Sequence, residues 1–351
     1  MYPFRVFLSY TAQDRWLLEA VVESLLDVGV HPWWDKELRP GRLFLDEIKQ
    51  KIATAHLFVP LLTSISSLRP WVHQETGFAV GINVPVLPIA IDTLPHAMLE
   101  GTQALVVRED LSDLKERLRE VDLESIILPL RSRPPVLYSI ADLPESRTEA
   151  LVAQGTNLVA SVGSGRIRQR ALFSSFSIPD EPPTAKVWQH LDREQPRSDY
   201  YRGLLREERQ LLERQARAYG CTLIITPLID PGPVGLLVHQ IRIETLIGFL
   251  ESAEKHLVDI VLTNSFQVGN ETIMGDVLLA RALPPQPNRD YRQTLFTSHA
   301  PTVLQAGRAF DEAFRYECRR PDLSPEIPAA GHSCEQALEA LRARLRELSR
   351  G

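Results

Sequence analysis

"FRVFLSYTAQDRWLLEAVVESLLDVGVHPWWD", residues 4–35, decides the fold. Its first seven residues are an apolar run with aromatic and β-branched side chains, the pattern of a strand buried on both faces. Residues 14–29 then repeat apolar positions at helical spacing, with Asp14 as N-cap and Gly29 as the C-terminal stop. "VHPWWD" (30–35) returns to a short strand. Two strands joined through a helix must run parallel, because a tight hairpin turn is absent and the helix has to cross over the sheet.

The same alternation continues downstream. "LFLDEIKQKIATA" (43–55) reads as a helix, "HLFVPLLT" (56–63) as a strand, 70–82 as a helix and "VPVLPIAI" (84–91) as a strand; "QALVV" (103–107) adds a fifth strand and 111–121 a last helix. The predicted first domain, 1–130, is therefore α/β with a parallel sheet covered on both faces. In such sheets the reactive cleft lies beyond the carboxyl ends of the strands.

"LPLRSRPPVLYSIADLPES" (128–146) is proline-rich, and a linker is expected over 131–147. A second α/β domain is expected over 148–318. It has strands at 157–162, 221–229 and 258–265, helices at 199–219, 235–256 and 300–316, and the further segments "ETIMGDVLLARAL" (271–283) and "QTLFTSH" (293–299). Residues 319–351 are expected to form a tail with a terminal helix at 335–348. No internal repeat is visible.

Composition narrows the functional classes. The 351 residues are 44% hydrophobic and 24% charged, ordinary globular values. Residues 1–130 carry a net charge of −6 and residues 131–351 none, so neither part has the basic excess of a nonspecific nucleic-acid binder. No run approaches the roughly 20 apolar residues of a membrane span, and "MYPFRVFLSY" lacks the design of a signal peptide, so a cytoplasmic protein is expected. Cys221, Cys318 and Cys334 are far apart and form neither a zinc pattern nor a disulfide framework.

One helix holds a discordant residue. In "RPWVHQETGFAVGI" (69–82), Trp71, Glu75, Phe78, Ala79 and Ile82 share a helical face, and Glu75 interrupts an apolar stripe. A glutamate there either reaches water at the stripe's edge or lies in a cleft with a task.

The motifs of the first domain, taken in order, resemble the Toll/interleukin-1 receptor (TIR) domain, bacterial enzymatic type, over roughly residues 3–130. "FLSY" (7–10) followed by Asp14 is similar to the family's first strand and its loop, and "WWDKELRPG" (33–41) to the second strand and the Pro-Gly-ending BB loop. "IATAHLFVPLLT" (52–63) matches the third strand, "PWVHQETGFA" (70–79) the segment in which a Trp precedes the catalytic Glu by four residues, and "VPVLPIAI" the following strand. The resemblance implies a flavodoxin-like parallel sheet. It also implies that Glu75 cleaves the nicotinamide–ribose bond of NAD+, which is a substrate; no cofactor and no metal are expected.

The chemistry is within reach of one carboxylate. O-glycosidases use two because the leaving oxygen must be protonated. Nicotinamide leaves from a cationic pyridinium and departs neutral, so the demand is for stabilising an oxocarbenium-like ribose. Water then gives ADP-ribose, and an internal nucleophile gives a cyclic ADP-ribose isomer. By resemblance, Ser9 and Tyr10 line the cleft, while Phe7 and Leu8 are core. Trp33 and Trp34 face opposite ways in a strand, and the resemblance puts Trp34 and Asp35 nearer the cleft. Lys36 and Arg39 are either pyrophosphate contacts or solvated loop charges, Trp71 is a packing anchor or a substrate contact, and His73 is an exposed helix residue. Pro40 and Gly41 are turn residues.

Enzymatic TIR domains generally work as assemblies, so self-association through this domain is expected, with the second domain as sensor or platform and anti-phage defence as the implied role. The competing reading is a non-enzymatic TIR scaffold. The second domain faintly resembles degenerate phospholipase D-like domains, but the His-x-Lys of their active members occurs nowhere in the chain. "VGSGRIRQRA" (162–171) sets Arg166, Arg168 and Arg170 at alternate positions, either as a grip for a nucleotide or other anionic ligand or as a basic strand edge that discourages pairing. His299 and Asp311 have no nucleophile or metal partner at a recognisable spacing, and Cys221 reads as a buried thiol.

Overall fold

The computed structural model describes residues 4–34, 44–93, 103–128, 136–171, 174–179, 199–226, 232–263, 269–286, 292–319 and 333–349. The chain divides into two compact units, Met1–Tyr138 with Ser298–Gln305, and Ser139–Thr297 with Ala306–Gly351. No described helix is long and apolar enough to cross a membrane.

The N-terminal unit is the doubly wound sheet that the opening stretch implies. Strands β1 (Phe4–Ser9), β2 (Val30–Trp33), β3 (Leu57–Leu62), β4 (Ile89–Ile91) and β5 (Leu105–Val107) lie in the order β2-β1-β3-β4-β5. All four pairings are parallel. The helices are α1 (Leu18–Asp27), α2 (Phe44–Ala53), α3 (Pro70–Gly81), α4 (Leu114–Glu120) and α5 (Leu123–Ile127). Central β3 is buried at every position, which is why its sequence is uniformly apolar instead of alternating. Val6 and Leu8 of β1, Leu57, Val59 and Leu61 of β3, and Leu17, Val21 and Leu25 beside them join one core cluster. Gly29 ends the first crossover with φ +79°, a conformation that a side chain disfavours, and its N–H donates to the Leu26 carbonyl at 3.0 Å.

Asp14 is not the N-cap of α1. A 3-10 turn occupies Ala12–Leu17, α1 begins at Leu18, and Asp14 lies within the turn with its side chain turned inward. The buried face of α3 is also shifted from the predicted stripe: Val72, Glu75, Thr76 and Ala79 are buried, whereas Trp71 and Phe78 are half-exposed.

The C-terminal unit holds a seven-stranded mixed sheet in the order β6-β12-β11-β10-β7-β8-β9. Its strands are β6 (Ser139–Ala141), β7 (Ile167–Ala171), β8 (Cys221–Ile225), β9 (Val258–Leu262), β10 (Glu271–Met274), β11 (Leu278–Ala282) and β12 (Thr294–Thr297). β7, β8 and β9 run parallel, and the remaining pairings are antiparallel. Helices α6 (Pro144–Ser161), α7 (Asp199–Tyr219), α8 (Gly232–Ser252), α9 (Ala300–Arg319) and α10 (Cys334–Leu348) complete the described helices of the chain. Two sequence expectations fail in this unit. "NLVASV" is the end of α6, not a strand, because Thr148, Leu151, Gly155 and Leu158 bury one helical face that runs through it. The second half of the expected linker is structured too: 139–141 is an edge strand, and Pro144 starts α6 at the position where a missing N–H costs nothing. Gly155 lets α6 approach closely, since a Cβ there would stand 2.9 Å from Leu211 Cδ2 and 3.1 Å from Met274 Sδ.

Candidate active site

The strand order reverses between β1 and β3, and a doubly wound sheet opens a crevice at that point beyond the carboxyl ends of the strands. Ser9 is the last residue of β1, and α3 follows β3 after a short turn. Glu75, in the second turn of α3, reaches back to the carboxyl end of β1 and is only 7% exposed. The hydroxyl of Ser9, itself 2% exposed, donates to Oε2 of Glu75. Two residues 66 positions apart thus meet across the switch point. The glutamate does not reach water at a helix edge, so the more ordinary reading of the discordant residue is wrong. Taking a carboxylate out of water costs several kcal/mol, and a charge-assisted hydrogen bond offsets part of that.

The helix is locally suited to present it. Pro70 stands at its first position, and Thr76, fully buried beside Glu75, returns its hydroxyl to the Val72 carbonyl at 2.6 Å, leaving the polar side chain satisfied inside the helix–sheet interface. His73 is not simply exposed: it is half-buried, and its Nε2 meets the Ser67 carbonyl at 2.7 Å, fastening α3 to the preceding turn.

The remaining predicted site residues divide. Tyr10, just past β1, and Trp34, just past β2, are half-buried and pack against the sheet core from the carboxyl-end side. Trp33 faces the other way, buried under the Arg5 guanidinium at 5.6 Å from the ring centroid. Phe7 and Leu8 are core, at 3% and 1% exposure. Trp71 is half-exposed one helical turn before Glu75. Asp35, Lys36 and Arg39, with Pro40 and Gly41, lie outside the described residues.

Sequence reasoning missed a second polar group in the crevice wall. Asp14, 2% exposed, accepts from the Thr11 hydroxyl at 2.6 Å and from the Thr63 hydroxyl, which lies 3.1 Å from each carboxylate oxygen. The available signal was the run "TSISS" (63–67), small hydroxyl residues directly after a buried strand.

In the C-terminal unit the alternating arginines are otherwise engaged. β7 is an inner strand, so a basic edge is excluded. Arg168 makes a bidentate pair with Asp311 at 2.7 and 2.8 Å, Arg166 pairs with Asp259 and donates to Thr222 at 2.7 Å, and Arg170 lies over Phe310 at 5.7 Å. Asp311 is thereby committed to Arg168; His299, expected in the second domain, falls in the stretch that belongs to the N-terminal unit and meets the Thr302 hydroxyl at 2.7 Å. Cys221 is fully buried, and burial pushes its thiol up to about 12.

No curated protein matches the chain. Among solved structures, the chain is similar to the Clostridium botulinum CMP N-glycosidase BcmB at 19% identity and a TM-score of 0.24, over 33% of this chain and 98% of that one. It is also similar to TrmBL2, an archaeal chromatin protein, at 10% identity and a TM-score of 0.31, over 59% of this chain and 62% of that one. Both scores are low, and neither likeness assigns an activity. The family model described as "TIR domain" matches residues 6–121, which span all five strands of the parallel sheet. Residues 6–121 of this protein form a TIR domain.

Proposed function

We propose that the TIR domain cleaves the nicotinamide–ribose bond of NAD+, releasing nicotinamide with ADP-ribose or a cyclic ADP-ribose isomer, and that Glu75 is its catalytic residue. The observation that carries this reading is Glu75 buried at the switch-point crevice with a hydroxyl, that of Ser9, donating to it. A ribose hydroxyl is the same kind of donor. When the substrate ribose enters, its hydroxyls take up bonds to the carboxylate, which lies in a site of low effective dielectric and steadies the oxocarbenium-like ribose as neutral nicotinamide departs. No general acid is required for that leaving group. Ser9, Tyr10 and Trp34 line the crevice in this proposal, and Trp34 offers a face for a nicotinamide or adenine ring. Asp35, Lys36 and Arg39 complete the substrate contacts, with the two cations toward the pyrophosphate. No cofactor takes part. The C-terminal unit controls assembly or senses the trigger, and the setting is bacterial anti-phage defence in the cytoplasm.

A scaffold that only binds other TIR domains is the second reading. Trp16, 68% exposed on this unit, is an aromatic side chain of the kind that such contacts bury. Nicotinamide release from NAD+ by the purified protein, alone and after forced clustering, separates the two. Folded protein that is silent in both states leaves the scaffold.

A further inference from the structure

We infer that Asp14 is a positioning residue of the TIR site: its carboxylate clamps the loop after β1 to the loop after β3 and so holds Ser9 and Glu75 at their working separation.

The two halves of the Ser9–Glu75 contact come from the end of β1 and from α3, the helix reached through the loop after β3, and the contact is only as well defined as the spacing of the loops that flank them. Asp14 sits between them. Thr11, two residues after Ser9, donates to it at 2.6 Å, and the Asp14 N–H closes the turn onto the Thr11 carbonyl at 2.9 Å. From the other side Thr63, the residue after β3, donates to it from 3.1 Å. Thr63 is in turn locked into its own turn. The Ser66 N–H donates to its hydroxyl at 3.0 Å, the Thr63 N–H donates to the Ser66 hydroxyl at 2.7 Å, and that hydroxyl donates to the Leu61 carbonyl at 2.7 Å. Ser67, whose N–H bonds the Thr63 carbonyl at 3.1 Å, receives His73 of α3 on its own carbonyl at 2.7 Å. An unbroken hydrogen-bonded path thus runs from the end of β1 through Asp14 and Thr63 to the helix that carries Glu75. At the surface Arg69 adds an outer tie, donating to Gln13 at 2.7 Å.

The chemistry favours a carboxylate at this place. It accepts from both loops at once and offers no donor, so two hydroxyls converge on it without competing. An asparagine has the same shape but turns an N–H toward one of the two hydroxyls. Asp14 does not reach the reacting atoms in this scheme; it acts through Ser9 and Glu75. Small misplacements are costly in such a site: a shift of about 1 Å at the reacting groups is worth roughly 10²-fold in rate.

The proposal rests on the NAD+-cleaving reading for its kinetic test and has a second test that does not. In the full-length protein, Asp14→Asn and Thr63→Val are each expected to lower kcat for nicotinamide release by about 10- to 100-fold while KM moves less than about two-fold. Thr63→Ser retains the hydroxyl and is expected to keep near-parent kcat. The double variant Asp14→Asn/Thr63→Val is expected to be no slower than the slower single variant, because both break one link. Near-parent kcat in Asp14→Asn, or additive losses in the double variant, overturns the proposal. Hydrogen exchange, followed peptide by peptide, is the independent readout: Asp14→Asn should speed exchange in both residues 10–17 and residues 63–69. If the parent protein releases no nicotinamide, the functional reading fails and exchange alone decides: loosening of both loops upholds the clamp, and unchanged exchange in 63–69 refutes it. If Asp14→Asn does not fold, the Thr63→Val and Thr63→Ser pair decides by the same criteria.

Discussion

Glu75 of the N-terminal unit and Glu208 of the C-terminal unit are both buried glutamates, 7% and 0% exposed, yet they are held by different chemistry. Glu208 receives the guanidinium of Arg147, and the Ser175 hydroxyl donates to its other oxygen at 2.6 Å. Ser175 is further tied to Gln169, which reaches Thr272 on the neighbouring strand at 3.1 Å. This network ties α6 and α7 to the sheet. Glu75 accepts from the Ser9 hydroxyl at the carboxyl end of β1. The guanidinium fixes Glu208 for the life of the fold, whereas the Ser9 hydroxyl is a donor of the kind that a ribose hydroxyl replaces in the proposed reaction.

That contrast fails or sharpens on four substitutions. The largest effect is expected from Glu75→Gln: nicotinamide release from NAD+ falls about 10³-fold, about 4 kcal/mol of transition-state stabilisation, while the thermal midpoint stays near that of the parent. Turnover within a few-fold of the parent removes Glu75 from the chemistry. Glu208→Ala should do the reverse, destabilising the C-terminal unit by about 3 kcal/mol in urea unfolding because the Arg147 cation loses its buried partner; a loss under about 1 kcal/mol would place Glu208 with ordinary surface pairs. Ser9→Ala keeps the carboxylate and removes one hydroxyl that donates to it. We expect kcat/KM to fall about ten-fold, measured by the same assay, with the fold intact. Arg168→Lys is the smallest: the bidentate fork to Asp311 becomes a single contact on a pair that is partly exposed, and the urea midpoint should drop by less than about 1 kcal/mol in stability.

Much of the N-terminal unit was legible because its signals are local. The uniformly apolar run at 57–62 is buried along its whole length, and the glycine after α1 takes the positive φ that its position requires. Glu75 stood out because a carboxylate in an apolar stripe is locally anomalous. Asp14 was misread for the same kind of reason: an acidic residue ahead of an apolar-periodic stretch has the local signature of an N-cap, and its true partner, Thr63, is 49 positions away. The C-terminal unit was less legible. "NLVASV" has a strand's composition, and only the run of buried positions upstream makes it the last turn of α6. Arg166, Arg168 and Arg170 read more readily as a basic edge than as a ligand grip until Asp259, Phe310 and Asp311, all distant in sequence, are brought beside them.

The sequence alone determined the parallel α/β architecture of the first unit, since hydrophobic period and helix punctuation act over a few residues and need no partner to be read. It also marked Glu75 as out of place. Tertiary structure decided what Glu75 faces, that Asp14 joins two loops and that the β7 arginines are paired within their own unit. Each of these depends on which side chains meet across tens of residues, and that is set by strand order and helix docking, which no local pattern encodes.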